Sequence, residues 1–164
     1  MSRPTYRRDD SPPIAGPRLR VIRFKANEQS NVSLLGTIIH GFWTHYSART
    51  EPCTDPKEQC QGCQNKWPSR WKGYVHAIRE DRQEEGFIEL TPKNREDLLA
   101  YCGRAELMRG CRLLVRRGKG DKTALRMMPI RSWRAEFADV PMPDECDPEE
   151  TLRALFEFRR AKSS

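Results

Sequence analysis

The sequence predicts a mainly β chain of the α+β class, organised as one domain with a tail at each end. Short stretches that alternate apolar and charged residues recur between residues 18 and 133, which is typical of half-buried strands. One stretch with helix-capping residues interrupts them, and a cysteine-rich loop separates two of them. With 164 residues and 37% hydrophobic residues, the core is modest and would gain from a metal that ties a loop down.

The first two strands precede the cysteine-rich loop. Residues 18–25 (RLRVIRFK) predict the first strand, and residues 34–46 (LLGTIIHGFWTHY) predict a long second one because β-branched and aromatic residues dominate them. Gly36 and Gly41 mark expected bends or bulges. Residues 47–69 are rich in proline, aspartate, glutamine and glycine, which predicts a loop.

A third strand and a helix follow the loop. Residues 70–79 alternate again and predict the third strand, and the short strand at 86–91 is expected to pair with it across a charged turn. Thr91 is a suitable N-cap with Pro92 at the first helical position, and Gly103 is a suitable C-cap. A helix is therefore predicted to begin at Pro92 and to end just before Gly103.

Two further strands complete the predicted domain. Residues 110–117 and 123–133 flank the turn GKGDK, and Pro129 places the last strand at an edge or bulge. If the short extra strand at 86–91 is counted with the third, five strands with one helix between the third and fourth is the order of an OB-fold, a small Greek-key barrel that binds single strands. We therefore expect an OB-like five-stranded barrel, a metal-stapled loop between strands two and three, and a C-terminal helix.

The charge distribution separates the domain from its tails. Residues 1–17 are basic and proline-rich and predict a disordered arm, while residues 18–134 form the expected domain. Residues 135–152 hold seven acidic residues and no basic one. The segment 135–164 is therefore predicted to be an acidic linker followed by an amphipathic helix at 149–162. Its apolar positions are Leu152, Leu155, Phe156 and Phe158.

Composition also sets expectations about environment and partners. The net charge of +7 favours a polyanionic partner, and the tail at 135–164 favours a protein partner. The first residues contain no signal-peptide pattern, and no stretch is apolar enough to span a membrane. We expect a cytoplasmic protein without a membrane or small-molecule partner, in which clustered thiols bind metal and do not form disulfides.

The strongest motif lies between Thr37 and Tyr74, a stretch that holds three of the six cysteines and two of the three histidines. Cys60 and Cys63 form a C-x2-C pair, and Cys53 lies seven residues before it. Such spacing is typical of zinc sites. Two histidines compete for the fourth ligand position, His45 (H-x7-C) and His40 (H-x12-C), and the predicted site is His45, Cys53, Cys60 and Cys63.

Three cysteines and one histidine would close a tetrahedral site and leave no position for water, so the predicted zinc is structural. The zinc deaminase signature requires a His-x-Glu, which is absent from the sequence. We therefore expect no enzymatic activity. The other cysteines lack ligand spacing, and Cys102 and Cys111 are interpreted as small buried apolar residues.

Aromatic and basic residues on the predicted strands suggest a surface for single-stranded nucleic acid, which binds by base stacking and phosphate contacts. For Trp43 and Trp71 the alternative is a place in the core; Tyr46, Trp67 and Tyr74 are expected to be exposed. For the cations of the last hairpin the alternative is a solvated face. The candidates are Trp43, Tyr46, Arg49, Trp67, Arg70, Trp71, Lys72, Tyr74, Arg112, Arg116, Arg117, Lys119, Lys122 and Arg126.

The strand order and the predicted ligand set together resemble single-stranded DNA-binding proteins of the phage helix-destabilising type. The resemblance covers His45, Cys53, Cys60, Cys63 and the acidic stretch 136–150. It implies an OB-fold, a structural zinc held by three cysteines and one histidine, and an acidic tail that binds protein partners. Here a basic and apolar helix follows the acidic stretch, whereas the tail of that family is terminal.

Two functions are compatible with these features. The first is a non-enzymatic protein that binds single-stranded nucleic acid, DNA or RNA, through a basic and aromatic face braced by zinc. The second is a zinc-stabilised adaptor of a replication, mobile-element or RNA-processing complex. A nuclease would need clustered carboxylates on strands, but the acidic residues fall in predicted turns, the helix and the tail.

Overall fold

The computed structural model describes residues 19–47, 49–54, 57–120, 125–130 and 150–156. The predicted arm at 1–17 and the acidic linker at 135–148 lie outside these ranges. No helix within the described ranges is long and apolar enough to cross a membrane.

Eight strands dominate the described residues, so the mainly β prediction is confirmed. The strands are β1 (Arg20–Val21), β2 (Gln29–Leu34), β3 (His40–Ser47), β4 (Arg49–Pro52), β5 (Ser69–Arg79), β6 (Glu84–Leu90), β7 (Arg112–Arg117) and β8 (Leu125–Ile130). The helices are α1 (Gln61–Gln64), α2 (Pro92–Cys102), the 3-10 turns Lys57–Gln59 and Ala105–Leu107, and a helix at 150–156.

The strands form one mixed sheet in the order β1-β6-β5-β2-β7-β8, with β3 paired to both β4 and β5. All pairs are antiparallel except β1 with β6. The path of paired strands ends at β1 and β8, so the described sheet is open. A closed barrel of five strands is therefore not seen in this part of the chain.

The second strand predicted at 34–46 is not one strand: Leu34 ends β2, whose other residues precede the predicted range, and β3 begins at His40. Both β2 and β3 lie along β5, with Val32 opposite Arg79 and His40 opposite Tyr74. Between them the N–H groups of Leu35 and Gly36 both donate to the carbonyl of His76, at 2.9 and 3.0 Å. Two donors on one acceptor are typical of a bulge, which bends the chain near the predicted glycine.

The helix α2 begins and ends where the capping residues predict. The Thr91 hydroxyl accepts a hydrogen bond from the N–H of Asn94, and the Asn94 side chain accepts one from the N–H of Thr91. Gly103 has a φ of 84°, which an L side chain rarely adopts, and its N–H donates to the carbonyl of Leu99 at 2.8 Å.

The two faces of the sheet carry separate apolar clusters. On one face, strands β2, β5, β6 and β7 pack with α2, and we call this the first core. The second core lies on the other face of β5 and β6, beneath the helix at 150–156. Its buried members are Leu19, Val21, Tyr74, Phe87, Leu152, Leu155 and Phe156.

A buried ionic network ties the start of β2 to the end of β5. The Arg79 side chain is fully buried and donates to Glu28 at 2.7 Å and to Asp81 at 3.0 Å. A hydrogen bond from the Lys25 N–H, together with Arg79, lowers the pKa of the Glu28 carboxyl. The Ser30 hydroxyl, followed by Arg79, lowers the pKa of the Asp81 carboxyl.

Candidate metal centre and aromatic surface

Four side chains from the cysteine-rich segment converge on one point. His45 comes from β3, Cys53 directly follows β4, and Cys60 and Cys63 lie at the start of α1 and within it. The four ligand atoms all lie within 4.8 Å of one another. Among the described residues, this is the one group of three or more histidine, cysteine or acidic side chains close enough to hold a metal ion.

The spacing of these atoms fits a tetrahedral zinc ion. The Cys53 sulfur lies 3.5 Å from that of Cys63 and 3.8 Å from that of Cys60, and the Cys63 sulfur lies 3.4 Å from His45 Nε2. Sulfur atoms bound to one zinc at about 2.3 Å stand about 3.8 Å apart in a tetrahedron. The four residues therefore pass a geometric test for that ion.

A hydrogen bond fixes the orientation of the imidazole. His45 Nδ1 lies 3.2 Å from the carbonyl oxygen of Trp67, to which it donates. Trp67 is held in place in turn, because its own N–H donates to the carbonyl oxygen of Gly62 at 2.9 Å. The bond from Nδ1 leaves the Nε2 lone pair directed at the three sulfurs, which is the usual arrangement around a metal-bound histidine.

Gly62 lies against the same imidazole. A Cβ atom built on Gly62 would lie 2.3 Å from Cγ and 2.4 Å from Cδ2 of His45. No side chain fits in that space, so the glycine between the two cysteines allows His45 to approach. The sequence analysis did not predict this close packing against the histidine.

His40, the competing histidine, lies elsewhere. It begins β3 opposite Tyr74, five residues before His45 and on the other face of the strand. Of the two histidines between which spacing alone left the choice open, His45 is the one that lies in the cluster, because it is near the far end of β3.

The surroundings of the cluster shift the pKa values of Cys53 and Cys60 in opposite directions. Desolvation and the neighbouring sulfurs raise the pKa of Cys53 to about 12. Desolvation also acts on Cys60, but N–H groups of Thr54 and Cys63 outweigh it and lower the pKa of that thiol to about 6. A bound metal would deprotonate all three sulfurs and compensate their negative charge.

Cys102 and Cys111 lie far from this chemistry. Both are buried in the first core, and burial raises the pKa of each thiol, to about 12 for Cys111. Their interpretation as small apolar residues agrees with this position. Cys146 lies outside the described residues.

Beside the cysteine cluster, two tryptophans face each other across β3 and β5. Trp43 lies directly opposite Trp71, and His45 lies opposite Ser69, two residues further along the same face. The Trp71 indole covers Gly41 and Gly73, where a built Cβ would lie 2.7 and 2.6 Å from the ring. Trp71 is half-buried, whereas 60% of Trp43 is exposed.

Tyr74 was expected at the surface, and this expectation is wrong, since only 1% of it is exposed. It belongs to the second core, where its ring lies 5.8 Å from that of Phe156 and its hydroxyl donates to Glu89 at 3.2 Å. Lys72 on the same face pairs with Glu89 at 2.7 Å. The reason for the error is that the helix at 150–156 covers this face.

The remaining aromatic and basic candidates on these strands are dispersed. Tyr46 is exposed but lies on the opposite face of β3 from Trp43, because the two are three residues apart. Arg70 is exposed and Trp67 is half-buried. Arg49 belongs to β4. These residues therefore do not all lie on one continuous surface.

The basic candidates of the last hairpin also divide. Arg112 forms a bidentate pair with Glu80, at 2.9 and 2.8 Å, and this pairing raises the pKa of its guanidinium group. Arg116 and Arg126 are exposed and directly opposite each other. Lys119 is exposed, Arg117 is half-buried, and Lys122 lies outside the described residues.

Two features of this region are not indicated by any local pattern in the sequence. The paired glycines, Gly41 and Gly73, become meaningful only once the register places them side by side under Trp71. The helix at 150–156 was predicted, but its position over Tyr74 was not.

No protein-family model, curated protein or solved structure matches this chain.

Proposed function

We propose that the chain is a non-enzymatic protein that binds single-stranded nucleic acid, and that a structural zinc braces its binding surface. The observation that carries the proposal is the exposed Trp43, paired with Trp71 on the same strands and face as the candidate ligand His45. A metal at the cysteine cluster would hold the segment after β4 against β3 and so keep both indoles in place.

The donor set supports zinc as the metal. Three thiolates and one imidazole are soft and borderline ligands that suit Zn²⁺ in a closed tetrahedron. The hydrogen bond from His45 Nδ1 to the Trp67 carbonyl supplies the outer contact that such sites use. Because all four positions would be filled by protein atoms, the proposed role of the ion is to stabilise the fold.

The connectivity supports the OB-like part of the proposal. If β2 and β3 count as one bent strand, the order becomes bent strand, β5, β6, α2, β7 and β8, with the bent strand paired to both β5 and β7. In OB-folds, which are partly open Greek-key barrels, the loops after the first and fourth strands contact the bound strand. The cysteine-rich segment follows the bent strand, which is the first of these positions.

Base stacking would account for the binding of single-stranded nucleic acid at the tryptophans. An exposed indole offers a flat surface on which an unpaired base stacks, a contact worth about 1–3 kcal/mol. The absence of catalysis is supported by the acidic residues nearest the sheet surface: Glu80 is held by Arg112, and Asp81 by Arg79.

Metal analysis and an oligonucleotide titration test the proposal together. Purified protein should contain one zinc per chain, and a fluorescent single strand should bind at low salt. Trp43→Ala should weaken binding by about 5- to 150-fold, the factor equivalent to one stacked base. Tyr101→Ala, an exposed aromatic on α2, is the matched control and should change little. Unaltered mobility of DNA and RNA oligonucleotides with the wild-type protein would refute nucleic-acid binding.

The alternative proposal, a protein adaptor, would use the cysteine-rich segment and the C-terminal segment, of which residues 150–156 are described. The helix at 150–156 directs Leu152, Leu155 and Phe156 into the second core, where each is nearly fully buried. A protein partner at the C-terminal segment would therefore contact the exposed side of that helix, such as Arg153, or the chain on either side of it.

A further inference from the structure

We infer that the chain carries a second contact surface for nucleic acid, on the opposite face of the sheet from Trp43, and that one molecule bridges two single-stranded segments. This inference rests on the proposed function. The second surface is the arginine pair, defined as Arg116 on β7 and Arg126 on β8.

The arginine pair is an unusual arrangement for a free sheet surface. Arg116 and Arg126 occupy directly opposite positions of the antiparallel β7–β8 ladder, and both are exposed. Like charges at directly opposite positions destabilise a sheet, since their Cβ atoms are only about 5 Å apart. A phosphodiester that lies across the pair would remove this repulsion and gain two charge-assisted hydrogen bonds.

No described carboxylate neutralises the pair. Neither arginine has an ion-pair partner within the described ranges. On the same side of the neighbouring strands, Glu80 is taken by Arg112, with N–O distances of 2.8 to 3.1 Å. Asp81 accepts from Arg79 and from the Ser30 hydroxyl. Among the described residues, the positive charge of the pair is therefore not neutralised, and an anion could bind there.

Uncharged neighbours extend the surface. Gln29 of β2 lies opposite Arg116 on the other side of β7, so amide and guanidinium groups form one row across three strands. In the next row, Leu114 lies between Asn31 and Met128, of which Met128 is 57% exposed. A basic row beside an apolar and amide row suits a nucleotide chain, with phosphates on the arginines and bases beside them.

Strand alternation puts the arginine pair and the tryptophans on opposite faces. Leu113, Val115 and Leu125 point into the first core, so Arg116 and Arg126 point away from it. Trp43 and Trp71 lie on the side of β3 and β5 that packs toward the first core, as Ile39 of the same set shows. A short strand that lies flat on one surface cannot reach the other without crossing a sheet edge.

A capture assay tests bridging with the whole chain. Biotinylated single strands of about 10 nucleotides, within the usual site size of one OB-type domain, are fixed on beads. Protein is added, unbound protein is washed away, and a fluorescent strand of the same length is offered at low salt. Wild-type protein should retain the second strand, and capture should fall steeply with salt because the arginine pair contacts phosphates.

Variants separate the two surfaces. Trp43→Ala should bind a single strand in solution more weakly, by the factor equivalent to one stacked base, whereas the double variant Arg116→Ser with Arg126→Ser should still bind one strand. Each should lose capture by tenfold or more. Arg95→Ser, an exposed arginine on α2, should capture like the wild type. Thermal melting identifies any variant that fails to fold. If the serine double variant fails to fold, the double variant Arg116→Lys with Arg126→Lys, which keeps both charges, should still capture the second strand.

The outcomes distinguish this inference from the proposed function. A wild-type protein that binds one strand and captures no second one overturns bridging and leaves single-strand binding intact. Capture that survives loss of the arginine pair, or that rises with the dimer fraction seen by mass photometry, also overturns it. A wild-type protein that binds neither strand removes the proposed function and this inference together.

Discussion

The imidazole of His45 occupies the space that a side chain on Gly62 would need. A Cβ atom at Gly62 would stand 2.3 Å from the ring, so Gly62→Ala must displace the histidine or the turn. We expect zinc affinity to fall by about 10- to 100-fold, as when the outer contacts of a metal site are lost. Competition with a chromogenic chelator measures the change. Gln61→Ala, the exposed neighbour, should leave the affinity unchanged, and equal affinities of the two variants would contradict the account.

The two histidines of β3 should behave differently when replaced. His45→Ala removes a ligand and should lower both the zinc content and the melting temperature, because metal binding contributes to folding free energy. His40→Ala should retain one zinc per chain, since His40 lies outside the cluster. Elemental analysis and calorimetry with and without a chelator measure these effects. Loss of zinc from the His40 variant alone would show that the wrong histidine had been assigned.

Tyr74 should matter for stability and not directly for binding. Tyr74→Phe loses the hydrogen bond to Glu89 and should cost about 1 kcal/mol of unfolding free energy. Tyr74→Ala leaves a cavity in the second core and should cost about 3–5 kcal/mol. Urea denaturation gives both values. The exposed Trp43→Ala should change the stability by about 0.5 kcal/mol or less, and a Tyr74→Ala variant of similar stability would disprove the burial.

Acid should weaken the network around Arg79. The pKa values of Glu28 and Asp81 are lowered from 4.5 and 3.8 in the folded state, so the unfolded state binds more protons in acid. The stability from these carboxylates is complete above their ordinary pKa values and is lost as the pH falls through the lowered ones. Urea midpoints should fall from pH 6 to pH 3. Glu28→Gln should be less stable at pH 6 and show a shallower decline, whereas the exposed Glu96→Gln should follow the wild type.

Local signals in the sequence predicted the elements well where a single residue decides the geometry. Thr91, Pro92 and Gly103 bounded α2 because capping depends on neighbours within one turn. The C-x2-C pair also acts within one turn, and together with the nearby Cys53 and His45 it predicted the cluster of four side chains. By contrast, β4 and α1 lie in a segment interpreted as a loop, since their short sequences carry neither strand nor helix periodicity.

Long-range placement explains the remaining errors. The alternation in residues 70–79 correctly predicted a strand but could not indicate that both of its faces are covered in the middle. Tyr74 is buried because a helix about 80 residues later packs on it, which no local pattern contains. The first predicted strand, at 18–25, is observed only as Arg20–Val21, which pair with Gly86 and Phe87 of β6.

The second core has a consequence for the order of folding. It joins Leu19 and Val21 near one end of the described chain to Leu152, Leu155 and Phe156 near the other. Contacts at such sequence separation form late, because loop closure must precede them. During synthesis, the first core and the cysteine cluster can assemble while Tyr74 and Phe87 still lack their cover. The nascent protein therefore exposes an aromatic surface on β5 and β6 until the last helix has been made.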